Sequence, residues 1–481
     1  LNHEFSKIMK PMRFQSPDVM ALIKRRVPAI CNGAIAVALT VSVGCNRGPQ
    51  HASATPVVPA KDGFPHTLAE LNAWYVEPPA GQNAATFHLK GLDALQLGNV
   101  GSTLPFFGKG QMPPPGAPIP APMKSALAAL MKSNQGALQL FAQGTQFDHC
   151  RYPVDLTCGY DAVFRHLKKL DNAGMLVELS ALVHADAHQA EQAASDLRTE
   201  LALANSLANE PTTLAQLLRG WIVGYAVGAL EQTVNRTLLP SEASSELSRE
   251  FQKMESAEAR GEGFNRALAG ERAMALAALA DSQQLLRALD APDLKMPADR
   301  RSQITVRLQK GEKLTAEKEF FETAFCRLMA ARQEPFPARL KSDELGRQLV
   351  AEALNIKLVV LDLLLPSLGR RTAVEAGCLA RLRLGWTAVA LEQFRAAHES
   401  QYPAALSELA PDYLTLPLAD PFDGGPLRYQ KKDKGYVLYS IGPDLKDDSG
   451  ARMNGKAGDI VFSVVAHAKP QEAQVGRPSK K

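Results

Sequence analysis

Residues 427–442 read LRYQKKDKGYVLYSIG. The runs 427–430 and 436–441 have the residue types of strands, and the polar KKDKG between them has the chemistry of a turn, so the stretch predicts an antiparallel β-hairpin. Gly424 and Gly425, just upstream, supply tight-turn geometry. Downstream of Gly442, PDLKDDSGARMNGKAGD carries few apolar side chains and many side-chain oxygens before GDIVFSV. Upstream, 345–399 reads as one long helix, with Pro366 the position where it would break. Lys357 and Asp362 interrupt the apolar run there, which favours a core helix over a membrane span.

Further upstream the helical period governs. Leu127, Leu130, Leu138 and Phe141 share one face, and Val163, Leu167 and Leu170 continue the pattern. Leu176, Leu179, Leu182 and Val183 follow, then Leu197, Leu201, Ala204 and Leu207. Leu214, Leu217, Trp221, Ile222 and Tyr225 open the next helix, and further helices are expected near 241–258, 264–289 and 315–332. Breaks are expected at Gly174, Pro211, Pro240, Gly261 and Pro292. Helices joined by short links pack antiparallel, and no fixed repeat period is present. The expected fold is mainly α: an antiparallel helical array over 123–344, then a small α+β domain over 345–468 with an antiparallel sheet. Ahead of the array, 66–122 is irregular and carries prolines at 113, 114, 115, 118, 120 and 122, which predict an extended strap.

Totals narrow the function classes. The 481 residues are 46% hydrophobic and 22% charged with a formal net charge of +4, ordinary globular values without the basic footprint of a nucleic-acid binder. Aromatic residues are only 6%, which favours helix over sheet for most of the chain. No Walker A loop, HExxH or complete GxSxG occurs; LYSIG at 438–442 has Leu438 where the first Gly would stand.

The N-terminal region gives a compartment. Residues 1–19 hold no apolar run, and Met20 is a candidate start. Lys24, Arg25 and Arg26 precede a mostly apolar stretch from 27 to 43, the order of a secretory signal. Its end, VSVGC, resembles a bacterial lipoprotein processing site, which makes Cys45 the candidate lipidated residue and 1–45 the export signal. Residues 46–65 are rich in Pro and small residues and read as a tether. The tail 469–481 is polar and basic and reads as disordered. Of the other cysteines, Cys150 and Cys158 flank a short loop and are either a disulfide or two buried thiols; His149 beside Cys150 hints only weakly at a metal pair. His184, His188 and Glu191 have metal-like spacing, yet the polar HADAHQAEQAASD around them reads as a solvated face where two helices meet.

Several stretches resemble known families. LLPSL at 364–368, Arg370, Arg371, Cys378 and the Tyr402-Pro403 step resemble prepilin-like proteins, although here the helix lies deep in the chain with no processing motif before it. Asp420-Pro421-Phe422, Gly424-Gly425, Tyr429, Tyr436, the stretch 438–442, Asp444 and Asp459-Ile460 resemble, in order and spacing, the end of the type II secretion major pseudopilin. That resemblance implies a small antiparallel sheet packed on a helix, and a calcium-binding loop after the LYS-x-G strand. Calcium requires six to eight oxygens, and Asp444, Asp447, Asp448 and Asp459, with Asn454 or carbonyls, are the candidate ligands; the alternative is a solvated acidic turn. The layout as a whole, with ELNAWY, PPPG, CRYP, LAGERA and DPFDG, resembles uncharacterised exported proteins of planctomycete-like bacteria, which implies architecture and no activity. The expected function is an envelope-tethered interaction or assembly protein, held to the membrane by an N-terminal lipid or anchor, with secretion or pilus-like partners. An extracytoplasmic hydrolase with an unrecognised site is the alternative.

Overall fold

The structure, a computed structural model, describes residues 63–98, 102–290, 296–365, 371–452 and 458–465. The expected export signal with Cys45, most of the tether, Pro292, Pro366, Asn454 and the basic tail lie outside the described residues. Among those described, the chain is mainly helical with a three-stranded antiparallel sheet near its C-terminal end.

The first elements are short. Helix α1 (Leu68–Trp74) starts at a reciprocal cap, in which Thr67 Oγ accepts from Glu70 N and the Glu70 carboxylate accepts from Thr67 N. Helix α2 (Ala85–Ala94) packs on α3 (Ala121–Gly144), which follows Pro120 and carries Pro122 in its first turn, where no intrahelical bond is donated. Between them the proline-rich strap crosses the end of the central helix, where Gln232 Nε2 donates to Pro113 O at 2.8 Å and Arg236 Nη2 to Ala117 O at 2.7 Å.

Helices α4 (Arg165–Asp186), α5 (Ala190–Asn205) and α6 (Thr213–Val234) form the centre, each packed on the other two. Helix α6 is buried on nearly every side, so its sequence shows no polar stripe. The expected break at Gly174 is absent. Gly174 lies inside α4 because a Cβ there would stand 2.9 Å from the Tyr225 ring, so the glycine admits α6 rather than ending a helix. The breaks at Pro240 and Gly261 are present: Pro240 precedes α7 (Ser241–Ala259), and Gly261, at φ 72°, precedes α8 (Glu262–Ala280). The single helix expected over 264–289 is split at Asp281, which caps α9 (Ser282–Leu289) through Gln283 N.

Helices α10 (Ala298–Gln309), α11 (Thr315–Ala331) and α12 (Lys341–Asn355) pack with α8 and α9 around a separate core that includes Leu279, Ile304, Phe321, Phe325 and Leu349. The long helix expected over 345–399 is interrupted here. Helix α12 ends at Asn355, Lys357 turns left-handed at φ 66°, a single turn α13 (Leu361–Leu364) follows, and α14 (Thr372–Ala397) begins anew. Among the described residues, no helix is long and apolar enough to cross a membrane.

Helix α14 lies against α6 and α7 and carries the sheet, which runs in the order β1 (Arg428–Lys432), β2 (Gly435–Ser440), β3 (Ile460–Val464). Tyr436 stands between Lys431 and Val464, and Leu438 between Tyr429 and Phe462. Tyr436, Leu438, Phe462 and Val464 alternate onto the inner face and are buried. Leu438, Phe462 and Val464 each contribute about 1.5–3 kcal/mol through burial, whereas Tyr436 also buries a hydroxyl that has no hydrogen-bond partner. One apolar core runs unbroken from Leu71 of α1 through α4–α7 and α14 to Val464 of β3.

Candidate functional site

The hairpin is anchored by the turn that precedes it. Asp420 is fully buried, and its Oδ1 accepts from Phe422 N at 3.0 Å and Ser440 Oγ at 2.9 Å. Its Oδ2 accepts from Ile441 N at 2.8 Å and Arg428 Nη1 at 3.1 Å. Four donors thus compensate one buried carboxylate. Gly424, at φ 79°, closes the turn by donating to Asp420 O, and Phe422 packs with Ala376 and Ala380 of α14 and with Ile441. The DPFDGG stretch is therefore the joint that fixes the end of β2 to the helix beneath it.

The acidic loop leaves from that joint. Arg428 reaches from Asp420 to Asp423, and its guanidinium holds the Asp423 carboxyl below the usual carboxylate range. Asp447 Oδ1 accepts from Tyr439 OH at 3.1 Å and from Ser449 N at 2.8 Å. Asp459, across the loop, accepts from Asp448 N at 3.3 Å and Gly450 N at 2.7 Å. Asp444 accepts from Lys446 N at 3.2 Å, a local turn. Burial raises the Asp459 carboxyl; the two amides oppose this, and the charges of Asp447 and Asp448 add to the rise. The donor set suits a hard cation in type, and the mutual repulsion of Asp447, Asp448 and Asp459 is what a divalent ion relieves. As the side chains stand, no three carboxylate, imidazole or thiol groups among the described residues are placed to hold a metal ion together.

The other sequence candidates separate. His184 and His188 do not share a helix face, because α4 ends at Asp186 and His188 is left-handed at φ 56°. His184 Nδ1 pairs with Asp196 at 2.7 Å, and His188 Nδ1 with Arg236 O at 3.1 Å, while Glu191 lies in the first turn of α5. Cys150 and Cys158 stand as separate thiols. Burial pushes Cys150 up to about 12, and Cys158 Sγ donates to Asp155 Oδ2 at 3.7 Å.

Two of the remaining motifs, ELNAWY and CRYP, contact each other. Tyr152 of CRYP is fully buried, stacked on the His166 ring at 4.2 Å, and its hydroxyl meets His88 Nδ1 at 2.9 Å and Ser206 Oγ at 3.0 Å. Arg151 donates through Nε to Tyr75 O at 2.6 Å, and Tyr75 OH accepts from Tyr152 N, so ELNAWY and CRYP staple α1 to the centre. In LAGERA, a Cβ on Gly270 would stand 1.8 Å from Pro211 O, which explains the glycine.

Sequence reasoning missed a buried acidic group between α4, α5 and α6. Glu178, Glu200 and Glu231 are buried, and burial with mutual repulsion raises the first two well above the ordinary carboxylate value. Glu178 Oε2 and both Glu200 oxygens make no hydrogen bond, whereas Glu231 accepts from Ser463 N at 2.6 Å and pairs with Arg452. The signal was faint: Glu178 sits one helical turn from Leu182, Glu200 from Leu197 and Leu203, and Glu231 from Val227 and Val234, where a helical pattern tolerates one polar residue.

Comparison with protein-family models, with curated proteins and with solved structures returns no match to this chain.

Proposed function

We propose that the chain is an exported, envelope-tethered interaction or assembly protein whose C-terminal α+β unit is a docking module. The supporting observation is the mounting of the sheet. Asn235 Nδ2 donates to Ser463 O at 2.8 Å, Val465 N donates to Asn235 Oδ1 at 2.9 Å, and Glu231 accepts from Ser463 N, so the central helix grips β3 while the charged hairpin tip 431–434 stays exposed. A rigidly held edge strand and tip is a surface that can recognise a partner without first being ordered. Secretion or pilus-like proteins are the partners this reading names, and the membrane link is a lipid on Cys45 or an uncleaved anchor.

Calcium belongs to the same reading. Asp444, Asp447, Asp448 and Asp459 are the ligands this reading names; their side chains would have to converge from their present positions, and the ion would supply positive charge that neutralises their repulsion.

The test is cross-linking and affinity capture of the full-length protein from its native envelope. Secretion or pilus-like components should be recovered with the parent and lost when Lys432 and Lys434 are both changed to Glu. Fractionation should move the protein out of the membrane pellet on Cys45→Ala. Failure to recover any reproducible partner would overturn the docking role.

A further inference from the structure

A cleft of about 290 Å³ opens where α1, the end of α7 and the start of α8 meet, away from the sheet and its loop. Its walls are of two kinds. Phe64 and Trp74, edge-to-face at 6.2 Å, form an aromatic side, and Arg219, Arg260 and Arg266 form a cationic one.

Each cation is placed differently. Arg266 lies with its guanidinium 4.4 Å from the centroid of the Trp74 ring, and no ion pair joins it to a carboxylate among the described residues. Arg219 is 3% exposed and lines the cleft; it pairs with Glu258, and its Nε is enclosed without a hydrogen-bond partner, so the residue adds fixed positive charge to the wall. Arg260 is exposed and pairs with Glu262 at 2.7 Å. Three guanidinium groups thus face Glu258 and Glu262, an excess of one positive charge.

The backbone adds to this. Helix α8 begins after Gly261 in the left-handed region with no side-chain cap, so its first-turn N–H groups have no partner from the capping residue. Gly263 in that turn lines the cleft, and a Cβ there would stand 2.4 Å from Gln216 Oε1, so the turn is pressed against α6 beside Arg219. A helix start, a buried guanidinium paired with Glu258 and a stacked, unpaired one converge beside two aromatic rings.

We propose that this cleft binds a small organic anion, a carboxylate carried on a planar apolar group. The carboxylate takes the Arg266 guanidinium and the first turn of α8, with the buried charge of Arg219 behind them; the planar group lies against Phe64 and Trp74. The volume suits a single ring with a short acidic arm. This site is independent of the docking reading.

The experiment is calorimetric titration of the full chain with phenylacetate, with neutral phenylacetamide and with inorganic phosphate. Phenylacetate should bind saturably at one site and change tryptophan emission, phosphate should bind more weakly, and phenylacetamide should not bind. Arg266→Gln should weaken phenylacetate binding at least about tenfold, the worth of a lost charge-assisted hydrogen bond, and Arg266→Lys should weaken it less. The proposal is overturned if phenylacetate shows no saturable binding, if the amide binds equally well, or if phosphate binds more tightly. Unchanged binding by an Arg266→Gln variant with the parent circular dichroism overturns it as well. Should that variant not fold, the comparison of acid with amide on the parent protein decides.

Discussion

Ser440 Oγ donates to Asp420 Oδ1 at 2.9 Å across twenty residues of sequence, and both residues are fully buried. The bond ties the last residue of β2 to the turn that seats Phe422 on α14, so hairpin and helix are held at one point. Asp420→Ala should therefore destabilise the protein by about 3–5 kcal/mol, because it leaves Phe422 N, Ile441 N and Ser440 Oγ without this acceptor and Arg428 with Asp423 as its remaining carboxylate. Ser440→Ala, which removes one donor of four, should cost only about 1 kcal/mol. Urea unfolding followed by far-ultraviolet circular dichroism checks both; equal losses would show that Asp420 is not the anchor.

Close backbone approach at Gly270 makes a second prediction. A methyl group there meets the Pro211 carbonyl at 1.8 Å, and neither the helix nor the proline turn can yield easily. Gly270→Ala should cost about 2–3 kcal/mol despite its better helix propensity. A thermal melt unchanged from the parent would refute this.

The buried acids set a pH dependence whose sign follows from their direction of shift. Glu178 is raised in the folded state by burial and by the charge of Glu231, and Glu200 by burial and by the charges of Glu178 and Asp196. Below the unfolded carboxyl value, about 4.3, both states are protonated and the groups cost nothing; as pH rises the unfolded chain ionises first, and stability falls until the folded pKa is passed. Glu200→Gln should match the parent near about pH 4 and exceed it by a growing margin toward about pH 8. Denaturation midpoints for both proteins across that range test it; parallel curves would contradict the assignment.

Calcium should raise the melting temperature of the parent, through binding to the folded state alone, and Asp459→Ala should abolish the increment. The variant also loses the acceptor of Asp448 N and Gly450 N, so its own melt without calcium should fall by an amount worth about 1–2 kcal/mol. A lower melt with no calcium response in either protein would leave Asp459 as a loop brace and remove the ion.

The sequence was most legible where a local period meets a local stop signal. Leucine spacing located the central helices, Pro240 and Gly261 marked the starts of α7 and α8, and the turn KKDKG marked the hairpin. Gly174 misled because a glycine that breaks a helix and one that admits a Tyr225 ring look the same in one dimension. The split at Asp281 and the left-handed Lys357 were hidden for a related reason: tertiary packing overrode a helical pattern that continued through both. At the candidate site the types of residue were readable and their partners were not. Asp420 was visible as part of a turn, but its four donors come from positions up to 21 residues away. The clustering of Glu178 with Glu200, and the contact of Tyr75 with Tyr152, depend on helices meeting in space, about which neither segment carries a local sign.

The grip of the central helix on β3 also orders events in time. Glu231 and Asn235 are partnered by a strand 232 and 228 residues further along the chain, the last element described. A polypeptide emerging from the ribosome or a translocation channel delivers the whole helical centre long before that strand exists. Until it arrives, the Glu231 carboxylate keeps its water, and the end of α6 is a site that chaperones or wrong strands can reach. Sealing of the helical centre is thus gated by β3, and a nascent chain truncated before residue 460 would carry these helices without the strand that covers them.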